Sequence, residues 1–197
     1  MIRIGITGGM GAGKSVISEM MRCLGIPVYD ADIASKKILN SNTKVKTQLI
    51  ELLGEEIFSN GQLNRPLMAQ LIFNNNELLL KTNAIIHPAV FEDFIAWSEA
   101  QNKEVVACET AILFESGMVS YFDSILMVSA PLEIRIERCI KRNKFTREQV
   151  LERIAKQMDE SKKIELSDFV IDNDNRKALY PQLKNFLNNL KALQNEE

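Results

Sequence analysis

The sequence predicts an α/β fold built on a parallel sheet, and three observations predict it. A short apolar run, Ile2, Ile4 and Ile6, leads into a glycine-rich loop and then into a helical pattern of Val16, Ile17, Met20, Met21 and Leu24. Two later runs, VVAC at 105–108 and ILMV at 125–128, are continuously apolar, as strands buried on both faces of a parallel sheet are. Between the second strand and the run at 105–108 lie about seventy residues of helical pattern, far more than a crossover helix needs. A helical insertion is therefore expected, placed to carry substrate recognition.

The glycine loop supplies the first chemistry. Gly8-Gly9-Met10-Gly11-Ala12-Gly13-Lys14-Ser15 matches G-x-x-x-x-G-K-[ST], the phosphate-binding loop. Glycines let the chain curl and leave no Cβ between backbone N–H groups and an anion. The helix that follows adds its unpaired first-turn donors and the positive end of its dipole. Lys14 is suited to neutralise β- and γ-phosphates, and Ser15 to offer its hydroxyl to Mg²⁺. A dinucleotide fingerprint counted from Gly9 and Gly11 would need a third glycine at position 14, where Lys14 stands.

The next segment, GIPVYD, reads as a turn into a second short buried strand that ends at Asp30-Ala31-Asp32. In an extended chain residues two apart point the same way, so both carboxylates are expected to emerge together at the carboxyl end of a strand, where open α/β sheets bind ligands. Such a pair can hold Mg²⁺ or accept a proton from an attacking hydroxyl; alternatively one of the two caps the next helix. From Ile33 to about Gln101 the helical pattern breaks at Asn40-Ser41-Asn42, Ser59-Asn60-Gly61, Asn74-Asn75-Asn76 and His87-Pro88.

Glu109 closes the strand at 105–108 where an acid of the Walker-B kind would sit. From Pro131 an apolar stripe of Leu132, Ile136, Cys139 and Ile140 adjoins Arg135, Arg138 and Arg142, whose spacing puts them on one helical face. Arginines so aligned suit a phosphate clamp, and a solvated helix face is the other reading. A second helix is expected over 146–158, with Arg147 and Arg153. Phe169-Val170-Ile171 is the last strand candidate, followed by Asp172-Asn173. A closing helix carries Leu179, Leu183, Phe186, Leu187, Leu190 and Leu193.

Composition bounds the class. With 197 residues, 46% hydrophobic and 25% charged, the chain can bury a full core. No stretch approaches ~20 apolar residues and the first apolar run is too short for a signal sequence, so cytoplasmic residence without membrane association is expected. Cys23, Cys108 and Cys139 lie far apart with no C-x-x-C, and are expected to be buried thiols. The single histidine, His87, excludes multi-histidine metal sites. Net charge is −2, yet residues 131–156 carry +4, which leaves −6 elsewhere. A basic surplus confined to one segment of an acidic chain argues against nucleic-acid binding. A GTPase would need N-K-x-D, whereas Asn143-Lys144 continues Phe145-Thr146. No obligate protein partner is indicated.

Taken together, GITGGMGAGKS, YDAD, FSNGQLNRPLMAQLIF, IIHPAV, ILFESG, RCIKR and DFVIDN resemble the dephospho-coenzyme A kinase family in identity and order, from the first strand to about Asn173. The resemblance implies ATP-dependent phosphorylation of the ribose 3′-hydroxyl of dephospho-CoA, the final step of coenzyme A synthesis, with ATP and Mg²⁺ required. It implies a P-loop NTPase-type core with a five-stranded parallel sheet flanked by helices, drawn at 1–31, 102–140 and 165–197. A helical substrate-binding insertion is drawn at 32–101 and a small lid at 141–164. On the matching positions, nucleotide contacts are expected from Gly8, Gly9, Gly11, Ala12, Gly13, Lys14, Ser15, Val16 and Asn173, and substrate contacts from Asp30, Asp32, Arg65 and His87. Ser15 is the expected Mg²⁺ ligand. Lys14, Asp32 as general base and Arg142 are the expected catalytic groups. Four positions depart from the family's usual residues: Lys36 and Ala111 stand for a frequent arginine and proline, Arg135 for a frequent glutamine, and Asn64 for the aspartate of L-D-R.

Overall fold

The computed structural model describes residues 1–73 and 75–194, the side chains of Asn143 and of 191–194 excepted. Asn74 of the expected break and the Leu193 side chain of the expected closing stripe thus lie outside the described residues. The chain divides into two compact units, one comprising Met1–Tyr29 and the chain from Gln101 onward, the other Asp30–Ala100.

The first unit holds the sheet. Strands β1 (Ile2–Thr7), β2 (Val28–Asp30), β5 (Val105–Glu109), β6 (Ser124–Ser129) and β7 (Phe169–Asp172) are ordered β2-β5-β1-β6-β7 in a five-stranded parallel sheet. Every residue from Ser124 to Val128 is buried, as the continuous apolar run predicts for a strand covered on both faces. Helices α1 (Lys14–Cys23) and α9 (Leu179–Gln194) bring Ile17, Met21, Leu183 and Phe186 into one core with Ile4, Ile6, Ala107, Leu126, Val128 and Ile171. Gly5 leaves room on the sheet for Leu113 and Phe122, since a Cβ there would stand 2.4 Å from Leu113 Cδ1. The connection leaving β1 runs toward β2 and that leaving β6 runs toward β7, so the crevice between their carboxyl ends is a topological switch point. The glycine loop sits there.

The second unit packs α2 (Ala31–Ser41), α3 (Thr43–Leu53) and α4 (Arg65–Phe73) against a long helix, α5 (Asn76–Ala100). Its buried face is a single stripe at four-residue spacing, Thr82, Ile86, Val90, Phe94 and Ser98. Two expectations are corrected here. His87-Pro88 does not break the helix: α5 passes through Pro88, because buried Ile86, Val90 and Phe94 on both sides hold its axis against the loss of one hydrogen bond. Nor is the insertion wholly helical. Ser59-Asn60-Gly61 lies in a two-stranded hairpin of β3 (Phe58–Ser59) and β4 (Gln62–Leu63), whose turn uses positive φ at Asn60 and Gly61.

The expected second helix also ends early. It forms as α7 (Arg147–Ile154), opened by a Thr146–Gln149 capping box, and a separate short helix, α8 (Glu160–Glu165), starts at an Asp159 cap. None of the three cysteines is bridged, and Cys23 is exposed rather than buried because it falls on the outer side of the last turn of α1. Among the described residues no helix is long and apolar enough to cross a membrane.

Candidate active site

The loop leaves β1 at Gly8 and enters α1 at Lys14. Gly13 is the N-cap of α1 with φ 100°, a left-handed conformation that favours glycine; a Cβ there would also meet Asn173 Nδ2 at 2.1 Å. Lys14 Nζ donates to Gly8 O at 3.1 Å, across the mouth of the loop. Ser15 and Val16 are exposed in the first helical turn. The loop closes on itself through Ala12 N to Gly9 O at 3.1 Å.

What holds the loop from outside is a set of groups on α6 (Leu132–Asn143) and after β7. Arg135 Nε donates to Met10 O at 3.0 Å. Arg138 donates toward Gly11 O and Ala12 O at 3.4 and 3.3 Å and to Asn173 Oδ1 at 3.0 Å. Asn173, itself buried, donates to Ala12 O at 2.7 Å. A trans peptide points its C=O and the next N–H in opposite directions. Fixing the carbonyls of Met10, Gly11 and Ala12 outward therefore aims the following N–H groups the other way. Arg135 and Arg138 thus act on carbonyls of the loop. Arg142, the third arginine of that face, is exposed in the last turn of α6. The helix ends at Lys144, with φ 56°.

Residues 141–164 are tied to the same elements. Ile136 and Cys139 of α6 pack with Val150 of α7, and Met10, Phe145 and Ile154 close over that cluster. Met10 N donates to Gln157 Oε1 at 3.0 Å. Glu160 pairs with Arg135 and accepts from Ser129 Oγ at 2.8 Å. Lys163, 1% exposed, donates to Ala111 O and pairs with Glu115, both at 2.7 Å. Burial lowers the Arg135 guanidinium pKa from its ordinary value. At the end of β5, Glu109 Oε2 accepts from Ser18 Oγ of α1 at 2.6 Å, which ties that acid to the helix of the loop. The sequence reading did not single out Ser18, Gln157, Glu160 or Lys163, because each lies far along the chain from its partner.

The second unit carries the other expected residues. Asp30 Oδ1 accepts from Ile33 N at 2.8 Å and so caps α2, one of the two roles read from the sequence. The pair does not emerge from an extended segment: β2 ends at Asp30, and Asp32 lies exposed in the first turn of α2, because the cap at Asp30 starts the helix at Ala31. Arg65 opens α4 and is exposed. His87 is half-buried on α5, and desolvation lowers its pKa from the ordinary value.

A family model described as dephospho-CoA kinase matches residues 2–178, nine-tenths of the chain. The chain belongs to the dephospho-CoA kinase family. A dephospho-CoA kinase from Bacteroides fragilis (strain YCH46) is 44% identical over 183 residues, 92% of this chain and 89% of that one. One from Bacillus anthracis is 38% identical over 175 residues, 87% and 88% of the two chains. Among solved structures, a Thermus thermophilus protein superposes with TM-score 0.83 at 31% identity, covering 97% of this chain and 96% of that one. A dephospho-CoA kinase from Campylobacter jejuni gives TM-score 0.67 at 21% identity, with 97% and 96% covered, a likeness of fold.

Three departures from the usual dephospho-CoA kinase residues have a local account. Asn64 Oδ1 accepts from Leu67 N at 3.2 Å, the helix-capping bond that an aspartate there would make. Ala111 contributes its carbonyl to Lys163, which any residue supplies. Arg135 takes the bracing position under Met10 described above. Nothing in the structure explains Lys36.

Proposed function

We propose that this chain transfers the γ-phosphoryl group of ATP to the ribose 3′-hydroxyl of dephospho-CoA, yielding coenzyme A and ADP, and that it does so in the cytoplasm, where three unbridged thiols are at home. One observation carries the reading: the match to the dephospho-CoA kinase family spans both the phosphate loop and the whole helical unit.

In this reading the loop from Gly8 to Val16 surrounds the phosphates, the N–H groups of Gly11, Gly13, Lys14 and Ser15 receive them, and Lys14 turns from Gly8 O to the β/γ-oxygens, where its charge opposes that of the transition state. Ser15 Oγ is the hard oxygen at the start of α1. Mg²⁺ is held by one or two protein oxygens together with substrate phosphates and water, a donor set that Ser15 and a bound nucleotide fit. Held there, the ion would supply charge neutralisation. Asp32 accepts the proton of the 3′-hydroxyl, Arg142 stabilises the transferring phosphoryl, and Asn173 keeps the floor of the nucleotide site in shape. Asp30, Arg65 and His87 hold dephospho-CoA.

Coupled ADP release, measured with dephospho-CoA, adenosine, AMP and gluconate as separate acceptors, tests the reading. Turnover with dephospho-CoA far above the other three is expected. Preference for any of the others would replace the proposed acceptor.

A further inference from the structure

The part of the loop that motif reading leaves unexplained is Gly9. Its backbone φ lies outside the left-handed region, so no conformational demand requires glycine there. The demand is steric and comes from Arg135. A Cβ on Gly9 would stand 2.2 Å from Arg135 Nη2 and 2.6 Å from its Cζ. The guanidinium cannot simply swing aside: Arg135 is 3% exposed, its Nε is bonded to Met10 O, and its Nη1 is paired with Glu160. Glu160 is fixed in turn by Ser129 Oγ at the end of β6. The backbone of Arg135 also lies against the loop, since a Cβ on Gly11 would meet Arg135 O at 2.4 Å.

We propose that Arg135 is a positioning residue for phosphoryl transfer, which sets the Met10–Gly11 peptide so that the Gly11 N–H faces bound phosphate and which takes its own orientation from Glu160. The proposal rests on the ATP-dependent reading above. Its chemistry follows from groups already placed. The outward Met10 carbonyl and the Gly11 N–H belong to one planar peptide, so holding the first directs the second. A guanidinium offers donors in a rigid fork, so one side chain serves Met10 O and Glu160 together without choosing between them. Glu160 both neutralises the buried cation and fixes the angle of its plane. Because Glu160 opens α8, the orientation of the loop peptide depends on where that helix stands.

ADP binding by calorimetry, beside steady-state kinetics and melting temperature, tests this in Arg135→Met, Arg135→Lys and Glu160→Gln. The expected result is ADP binding weakened about tenfold or more in Arg135→Met, which has no donor for Met10 O, with kcat lowered and KM for dephospho-CoA little changed. Arg135→Lys should recover only part of the loss, since it keeps charge without the fork. A purely structural arginine would lower the melting temperature and leave the ADP affinity and kcat of folded protein within about twofold of wild type, which would overturn the proposal.

A second arm uses Gly9→Ala, alone and with Arg135→Ala. Gly9→Ala should weaken ADP binding strongly in the wild-type background and add little once the guanidinium is gone. Equal cost in both backgrounds would overturn the steric argument. Should the Arg135 variants fail to fold, Glu160→Gln decides: severalfold weaker ADP binding supports the proposal, and unchanged binding contradicts it. ADP binding needs no acceptor. A wild type that binds ADP but ignores dephospho-CoA would therefore sink the proposed acceptor while leaving this test intact.

Discussion

Asp32 stands one residue beyond the start of α2 at Ala31, exposed in the first turn. A side-chain carboxyl group there can serve as a general base, the role proposed for it. Asp32→Asn keeps the shape and removes that capacity, so kcat should fall by about 10²–10⁴-fold with a small change in KM for dephospho-CoA. Steady-state kinetics with saturating ATP decide it, and an unchanged kcat with a raised KM would make Asp32 a binding residue only. His87 carries the pH dependence. Burial lowers its folded-state pKa below the ordinary 6.5, so the unfolded chain binds that proton more readily. The contribution of neutral His87 to stability is whole above about pH 6.5 and is lost as pH falls through the folded-state value. Melting curves of wild type and His87→Gln between about pH 8 and pH 5 should therefore diverge on the acid side, with the wild type losing more. Parallel curves would show that His87 is not desolvated.

Among the elements, α5 carries the clearest conflict between local preference and packing. Pro88 is exposed on the helix and lacks the N–H that would reach back one turn, while the buried stripe from Thr82 to Ser98 keeps the helix whole. Pro88→Ala restores the donor without opening a cavity, and should stabilise the protein by about 1–3 kcal/mol, less the entropy regained by the unfolded chain. Thermal or urea unfolding measures it, and a destabilised variant would show that the proline serves the packing of α5. The same element shows where sequence reading stops. A His-Pro pair reads as a helix end because residues before proline avoid helical backbone, and only the tertiary stripe overrides that preference. The hairpin of β3 and β4 escaped for a different reason: strands of two residues are too short to show alternation, though the turn at Asn60-Gly61 was legible as a break. By contrast β1, the loop and α1 were legible because apolar run, glycines, Lys-Ser and helical stripe follow one another in sequence.

For the whole molecule, the sheet order puts the glycine loop at the switch point between β1 and β6, and the family match extends through the helical unit as well. The parallel sheet and the insertion were legible from continuous apolar runs and from a connection too long for one crossover helix. The bracing of the loop was not. Arg135 and Glu160 are 25 residues apart; in sequence Arg135 reads as one of three aligned arginines, a phosphate clamp or a solvated face, and Glu160 carries no signal of its own. Burying Arg135 becomes tolerable only once Met10 O, Glu160 and Ser129 converge on it, a condition that no local pattern reveals. The central claim remains chemical: a phosphoryl group passes from ATP to one hydroxyl of one acceptor. The most direct measurement is to incubate the purified protein with ATP and dephospho-CoA and locate the new phosphoryl group by phosphorus NMR and fragmentation mass spectrometry. The account predicts stoichiometric ADP and a product identical to coenzyme A, phosphorylated at the ribose 3′-position. A phosphoryl group on any other hydroxyl, or ATP turnover that leaves dephospho-CoA unmodified, would contradict it.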